Sequence, residues 1–128
     1  MKVRSIVTSR ALALAAAAIS TSIALPAPSA QAACMPGQLR TIINQINSKF
    51  GRVQVISTHR PGARIRGSGK ASYHASCRAV DFHPPRGKYG AVLAWLKSHH
   101  SGGIGTYSCN LHHIHIDTGP RVRWHKCQ

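Results

Sequence analysis

The sequence predicts an α+β domain, a small antiparallel sheet flanked by helices. Two patterns carry that expectation: apolar residues recurring at helical spacing, and short stretches that alternate apolar and polar residues. The helical stretches stand apart from a run of short strands, which favours an antiparallel sheet. Taken in order, residues 36–50 put Leu39, Ile42, Ile43, Ile46 and Phe50 on one helical face, and Gly51 is a natural stop. Residues 53–57 alternate as a strand, and a loop rich in Gly, Arg and Ser runs from about residue 59 to 72. Residues 78–83 read as a second strand, closed by Pro84 and Pro85. A second helix is expected over 88–99, with Val92, Leu93, Trp95 and Leu96 as its apolar positions. Two last strands are expected over 104–108 and 111–117.

The acidic residues are the most informative part of the composition. Against 17 Lys and Arg the 128 residues hold only two acids, Asp81 and Asp117, and no Glu. Both lie among histidines, as His74-x6-Asp81 and His113-x-His115-x-Asp117. A chain this basic has little need of carboxylates beside imidazoles for solubility, and a clear need if one of them binds a metal.

Alternate side chains on a strand share a face. Residues 113–117 therefore put His113, His115 and Asp117 on one side, with Ile114 and Ile116 on the core side. In the second strand Asp81 shares its face with Ala79 and His83, opposite Val80 and Phe82. His74 precedes Asp81 by an odd offset, so the chain must bend at Ala75-Ser76-Cys77 for both to reach one ion. His74, Asp81 and His115 then form a nitrogen, nitrogen and oxygen set. Three protein ligands with one position left to water is the pattern of a catalytic zinc, whereas structural zinc is usually closed by four. One Zn2+ ion, in a cleft on that sheet face, is the expected cofactor.

Ser72-Tyr-His74-Ala-Ser-Cys77-Arg-Ala79-Val-Asp81 resembles the Ser-x-His-x-x-Gly-x-Ala-x-Asp motif of the zinc D-alanyl-D-alanine carboxypeptidase-like peptidases. That family is grouped with lysostaphin-type enzymes and the hedgehog signalling domain. Ser57-Thr-His-Arg60-Pro61 is similar to the family's Ser-Gly-Tyr-Arg-Ser segment. Gly105-x-Tyr107, His113-x-His115-Ile-Asp117-Thr-Gly119 and Arg123-Trp124 are similar to its closing strand. The resemblance spans roughly residues 53–124. It implies zinc ligation by His74, Asp81 and His115, and a role for Arg60 in holding the substrate or the reacting carbonyl oxygen.

This chain departs from the family pattern twice. Many members place a Glu or Asp general base three residues before the last ligand, where this chain has His112. Other members of the wider group use the first His of a His-x-His pair, which is His113. We take His113 as base or transition-state stabiliser, with His112 as runner-up because it points to the other face of an ideal strand. Cys77 replaces the motif glycine. Ser72 is read as a turn cap, Tyr107 and Trp124 as core or cleft wall, and His83 as a strand-end histidine. His59, His99, His100 and His125 are read as surface residues. Asp117 either orients an imidazole or pairs with Arg121 or Arg123.

Residues 1–32 read as a secretory signal. Lys2, Arg4 and Arg10 supply a positive start, 11–25 an apolar stretch, and Ala30-Gln31-Ala32 a small-x-small cleavage site. One zinc peptidase-like domain then occupies 33–128, exported to the periplasm or beyond, with no membrane span after cleavage. Its cysteines, Cys34, Cys77, Cys109 and Cys127, imply two disulfides in an exported domain. Three pairings are open, of which Cys34–Cys77 with Cys109–Cys127 is preferred. Loss of the three leader cations lowers the formal charge from +15 to +12, still enough to draw the domain to anionic cell-wall polymers. Nucleic acid is not an expected partner, because the chain lacks aromatic interleaving and any recognised binding module. A monomer is expected. The function these readings imply is a secreted zinc peptidase cleaving peptide stems or cross-links of bacterial peptidoglycan, as endopeptidase or carboxypeptidase. The alternative is a non-catalytic, zinc-containing wall-binding or signalling module.

Overall fold

The computed structural model describes residues 22–25 and 34–127. The expected signal segment lies outside the described residues, apart from 22–25, which form neither helix nor strand. Among the described residues no helix is long and apolar enough to cross a membrane.

The fold is α+β. Helix α1 (Gly37–Phe50) buries Leu39, Ile42, Ile43 and Ile46 and ends at Gly51, whose φ of 109 suits a glycine. Helix α2 (Tyr89–His99) buries Val92 and Leu96. Strands β1 (Gln54–Ser57), β2 (Ala79–His83), β3 (Ile104–Ser108), β4 (Ile114–Asp117) and β5 (Arg123–Cys127) form one sheet in the order β1-β2-β4-β3-β5. Val80 and Phe82 of β2, Ile104 of β3, and Ile114 and Ile116 of β4 join the buried helix residues in a single core. Each such side chain contributes about 1.5–3 kcal/mol when fully removed from water. Both helices therefore cover one face of the sheet, and the strand alternation leaves Asp81 and His115 on the other.

The sheet is mixed rather than antiparallel throughout. The β1–β2, β2–β4 and β3–β4 pairs are antiparallel, but β5 runs parallel to β3. Nothing in the apolar pattern marks β5, since Arg123, His125, Lys126 and Cys127 are exposed and only Trp124 is half-buried. The ladder to β3 and the Cys109–Cys127 disulfide hold it in place. The strand expected over 111–117 begins at Ile114, because Cys109 (φ 63) and Asn110 (φ 66) turn the chain through the left-handed region just before it.

The cysteines pair as Cys34–Cys77 and Cys109–Cys127, the preferred arrangement. The first closes a separation of 43 residues and the second one of 18. Loop-closure entropy assigns these about 4 and about 3 kcal/mol respectively. Replacing Cys34 by Ala together with Cys77 by Gly is thus expected to lower the unfolding free energy more than replacing Cys109 and Cys127 by Ser. Urea denaturation of the two variants measures the difference, and equal losses would contradict it.

Candidate metal centre

The register of β2 against β4 sets Asp81 directly opposite His115. His74 arrives by another route. Ser72 caps a single 3-10 turn, Tyr73–Ser76, and its hydroxyl accepts from the His74 N–H at 3.3 Å. The turn ends at Cys77 with φ 57. That left-handed conformation is the one for which the motif's glycine is suited, and here a cysteine tied to Cys34 adopts it. This turn is the bend that the offset from His74 to Asp81 requires. The segment after β1 fixes it from the other side: the Arg60 N–H donates to the His74 carbonyl at 3.0 Å.

His74, Asp81 and His115 are brought together and are all buried. His74 Nε2 lies 3.1 Å from Asp81 Oδ2 and 3.2 Å from His115 Nδ1, and His115 Nδ1 lies 2.8 Å from Asp81 Oδ1. In a tetrahedral zinc site with bonds of 2.0–2.2 Å, neighbouring donor atoms stand about 3.3 Å apart. The three side chains therefore sit close to the spacing one ion demands.

Their protonation also fits a cation. His74 Nδ1 faces the Thr58 carbonyl at 3.0 Å, and His115 Nε2 faces Asp117 Oδ2 at 3.0 Å. Both partners only accept, so each neutral ring carries its proton on that outer nitrogen. In those tautomers the inner nitrogens offer lone pairs to a cation, and a proton taken up there in place of an ion is shared with the Asp81 carboxylate. Burial alone would lower the His115 pKa, but hydrogen bonds to Asp117 and Asp81 outweigh it and raise it. Burial would likewise raise Asp81, yet hydrogen bonds from His115 and His74 hold its carboxyl well below the usual range. The centre is built to stabilise positive charge.

Asp117 is what sets the His115 tautomer. Its Oδ1 accepts from the Gly103 N–H at 3.1 Å and the Gly119 N–H at 2.8 Å. Burial raises its pKa, and the His115 hydrogen bond with those two N–H groups reverses the shift. Of the two roles expected for it, Asp117 takes that of orienting the imidazole. Arg121 and Arg123 instead donate to backbone carbonyls of Lys97, His100 and Gly102. A Cβ at position 103 would collide with the Asp117 carboxylate, and one at position 105 with the Trp124 ring, which lies 5.3 Å from the His115 ring.

The remaining expected residues sort by position. Arg60 Nη2 reaches to 3.6 Å of Asp81 Oδ2 from a half-exposed side chain. His113 precedes β4, half-buried, with its ring 4.1 Å from that of Tyr107 and 6.2 Å from that of His83. Burial lowers its pKa, opposed by Asp81 and assisted by His83, His115 and Arg60. His112 is exposed, and only its carbonyl is engaged, accepting from His83 Nδ1 at 3.2 Å. His100 is not on the surface: it is 2% exposed and donates from Nε2 to the Asp117 carbonyl at 2.9 Å. The Thr58 carbonyl, Gly103 and His100 were not foreseen. Only the glycines left a sequence signal, since Gly102-Gly103 and Gly105 interrupt a strand pattern where backbones approach closely. Cys34, His59 and Cys77 also cluster, but both sulfurs are joined in the disulfide.

Residues 7–117 match the family model for Peptidase M15. The chain belongs to the Peptidase M15 family. Within the curated proteins it is similar to the peptidoglycan L,D-endopeptidase MepK of Escherichia coli strain K12, 37% identical over 79 residues. The MepK proteins of Escherichia coli O157:H7 and Shigella flexneri match to the same extent. The aligned stretch covers 56% of this chain and 43% of the relative, so the chain spans less than half the length of the curated relatives it matches. No solved structure gives a significant match.

Asp117→Asn would turn an amide N–H toward the His115 N–H and push that ring to the wrong tautomer. The affinity of the centre for a divalent metal ion is expected to fall about 10- to 100-fold, the loss usual for carboxylates that orient a ligating histidine. Competition titration against a chromophoric chelator measures it, and unchanged affinity would remove Asp117 from this role.

Proposed function

We propose that this chain is an exported, zinc-dependent peptidoglycan peptidase, an endopeptidase that cuts peptide stems or cross-links. The observation that carries this reading is the meeting of two buried imidazole nitrogens and one buried carboxylate within 3.2 Å of one another. Family membership supports peptidase chemistry, and the likeness to L,D-endopeptidases supports an L,D bond in peptidoglycan as the target. The leader-like residues 1–32 and the two disulfides support export.

Zinc bound by His74, Asp81 and His115 supplies Lewis acidity toward a scissile carbonyl and makes water acidic enough to ionise near neutrality. His113, two residues before His115, takes a proton from the attacking water and returns it to the departing amine. Arg60, at the rim beside Asp81, holds the substrate. His112, exposed, is the weaker choice of base. Charge supports a hold on the anionic wall. All fourteen Lys and Arg between residues 34 and 127 are exposed, and both carboxylates are buried. The described surface thus has no anionic side chain to oppose a polyanion.

One observation favours a second reading, a zinc-holding wall-binding module without turnover. Both carboxylates are already engaged with imidazoles, so no acidic residue remains to serve as base. His113→Ala separates the two readings, since the peptidase loses turnover and keeps its zinc.

The mature protein is expected to carry about one zinc, and His74→Ala or Asp81→Asn to lose both metal and cleavage. Mass spectrometry of muropeptides after incubation with zinc-loaded protein identifies the bond. Full cleavage after exhaustive chelation would rule the proposal out.

A further inference from the structure

The site face presents an uncharged donor that the roles above leave unused. Tyr107 lies on β3 two residues beyond Gly105, so its side chain shares the face that looks toward His115. Its ring sits between His113, 4.1 Å away and tilted by 36°, and Trp124, 5.1 Å away and edge-on at 83°. These contacts leave Tyr107 only 8% exposed and fix the direction of its C–O bond. The hydroxyl has no hydrogen-bond partner among the described residues. It is not sealed off either, since among them the one side-chain polar atom both buried and unpartnered is His100 Nδ1. The ring stands on the sheet face that carries His113 and His115.

Burial raises the phenol pKa first, the Asp81 carboxylate raises it further, and the Arg60 cation opposes them. The hydroxyl therefore stays protonated, a donor throughout the working range, on a ring packed 4.1 Å from that of His113. Attack on an amide carbonyl puts negative charge on its oxygen, and a donor already fixed at that place is among the largest single contributions to such a reaction. This chain has no Glu, and both Asp side chains are engaged with imidazoles.

We propose that Tyr107 is a catalytic residue whose phenol O–H donates a hydrogen bond to the carbonyl oxygen of the scissile amide as that oxygen gains charge. The proton stays on the phenol throughout. His113 alone carries the proton from water to the leaving amine, so the two residues divide the work between transfer and stabilisation. This assignment rests on the peptidase reading given above.

The test compares zinc-loaded wild type with Tyr107→Phe, which keeps the ring packing and removes only the hydroxyl. Three quantities are read: the rate of muropeptide release, zinc content with melting temperature, and calorimetric affinity for a phosphinate peptide whose anionic oxygen mimics the charged carbonyl. The expected result is a fall of about 100-fold in kcat and a KM within about 2-fold of wild type. Phosphinate affinity weakens by a factor comparable to the kcat loss, and zinc content and melting temperature are unchanged. An unchanged kcat, a loss carried by KM alone, or undiminished phosphinate affinity overturns the assignment while leaving the peptidase reading intact. A wild type that takes up zinc and cleaves nothing overturns both.

Discussion

Two imidazole N–H groups pointing away from each other decide what the middle of this molecule holds. His74 commits its outer proton to the Thr58 carbonyl and His115 commits its own to Asp117. With those bonds made, the inner nitrogens and Asp81 are all electron-rich and only about 3 Å apart. Such an arrangement draws in a cation, whether a proton shared with Asp81 or a metal ion, in a water-poor environment where charges interact strongly. The outer bonds are thus as much a part of the centre as the three atoms that face inward.

The fold exists in large part to hold those outer bonds. One face of the sheet is anchored by Val80, Phe82, Ile104, Ile114 and Ile116 against both helices, and the alternation of the same strands lifts Asp81 and His115 onto the other. Asp117, at the end of β4, is clamped by two backbone N–H groups, and that of Gly103 comes close only because residue 103 has no side chain. His74 cannot come from a strand, so a capped 3-10 turn and a disulfide deliver it.

Much of this was legible in the residues. Period-two alternation placed Asp81 and His115 correctly, because their strands have a clean core side and a clean site side. The odd offset of His74 demanded a bend, and the bend is there. β5 was invisible because its stability comes from ladder bonds and a disulfide, neither of which leaves an apolar pattern. His100 was misread because it follows His99 at a helix end, where exposure is usual. It is drawn inward to a carbonyl of β4 instead. The Thr58 carbonyl was unreadable in principle, since a backbone acceptor looks the same at every residue.

The inward placement of both carboxylates has a consequence for how copies of this protein meet one another. With cations distributed over the described exterior and no side-chain anion among them, two molecules have no opposite charges to match across a shared boundary. Repulsion between them acts over a Debye length of about 8 Å at physiological ionic strength.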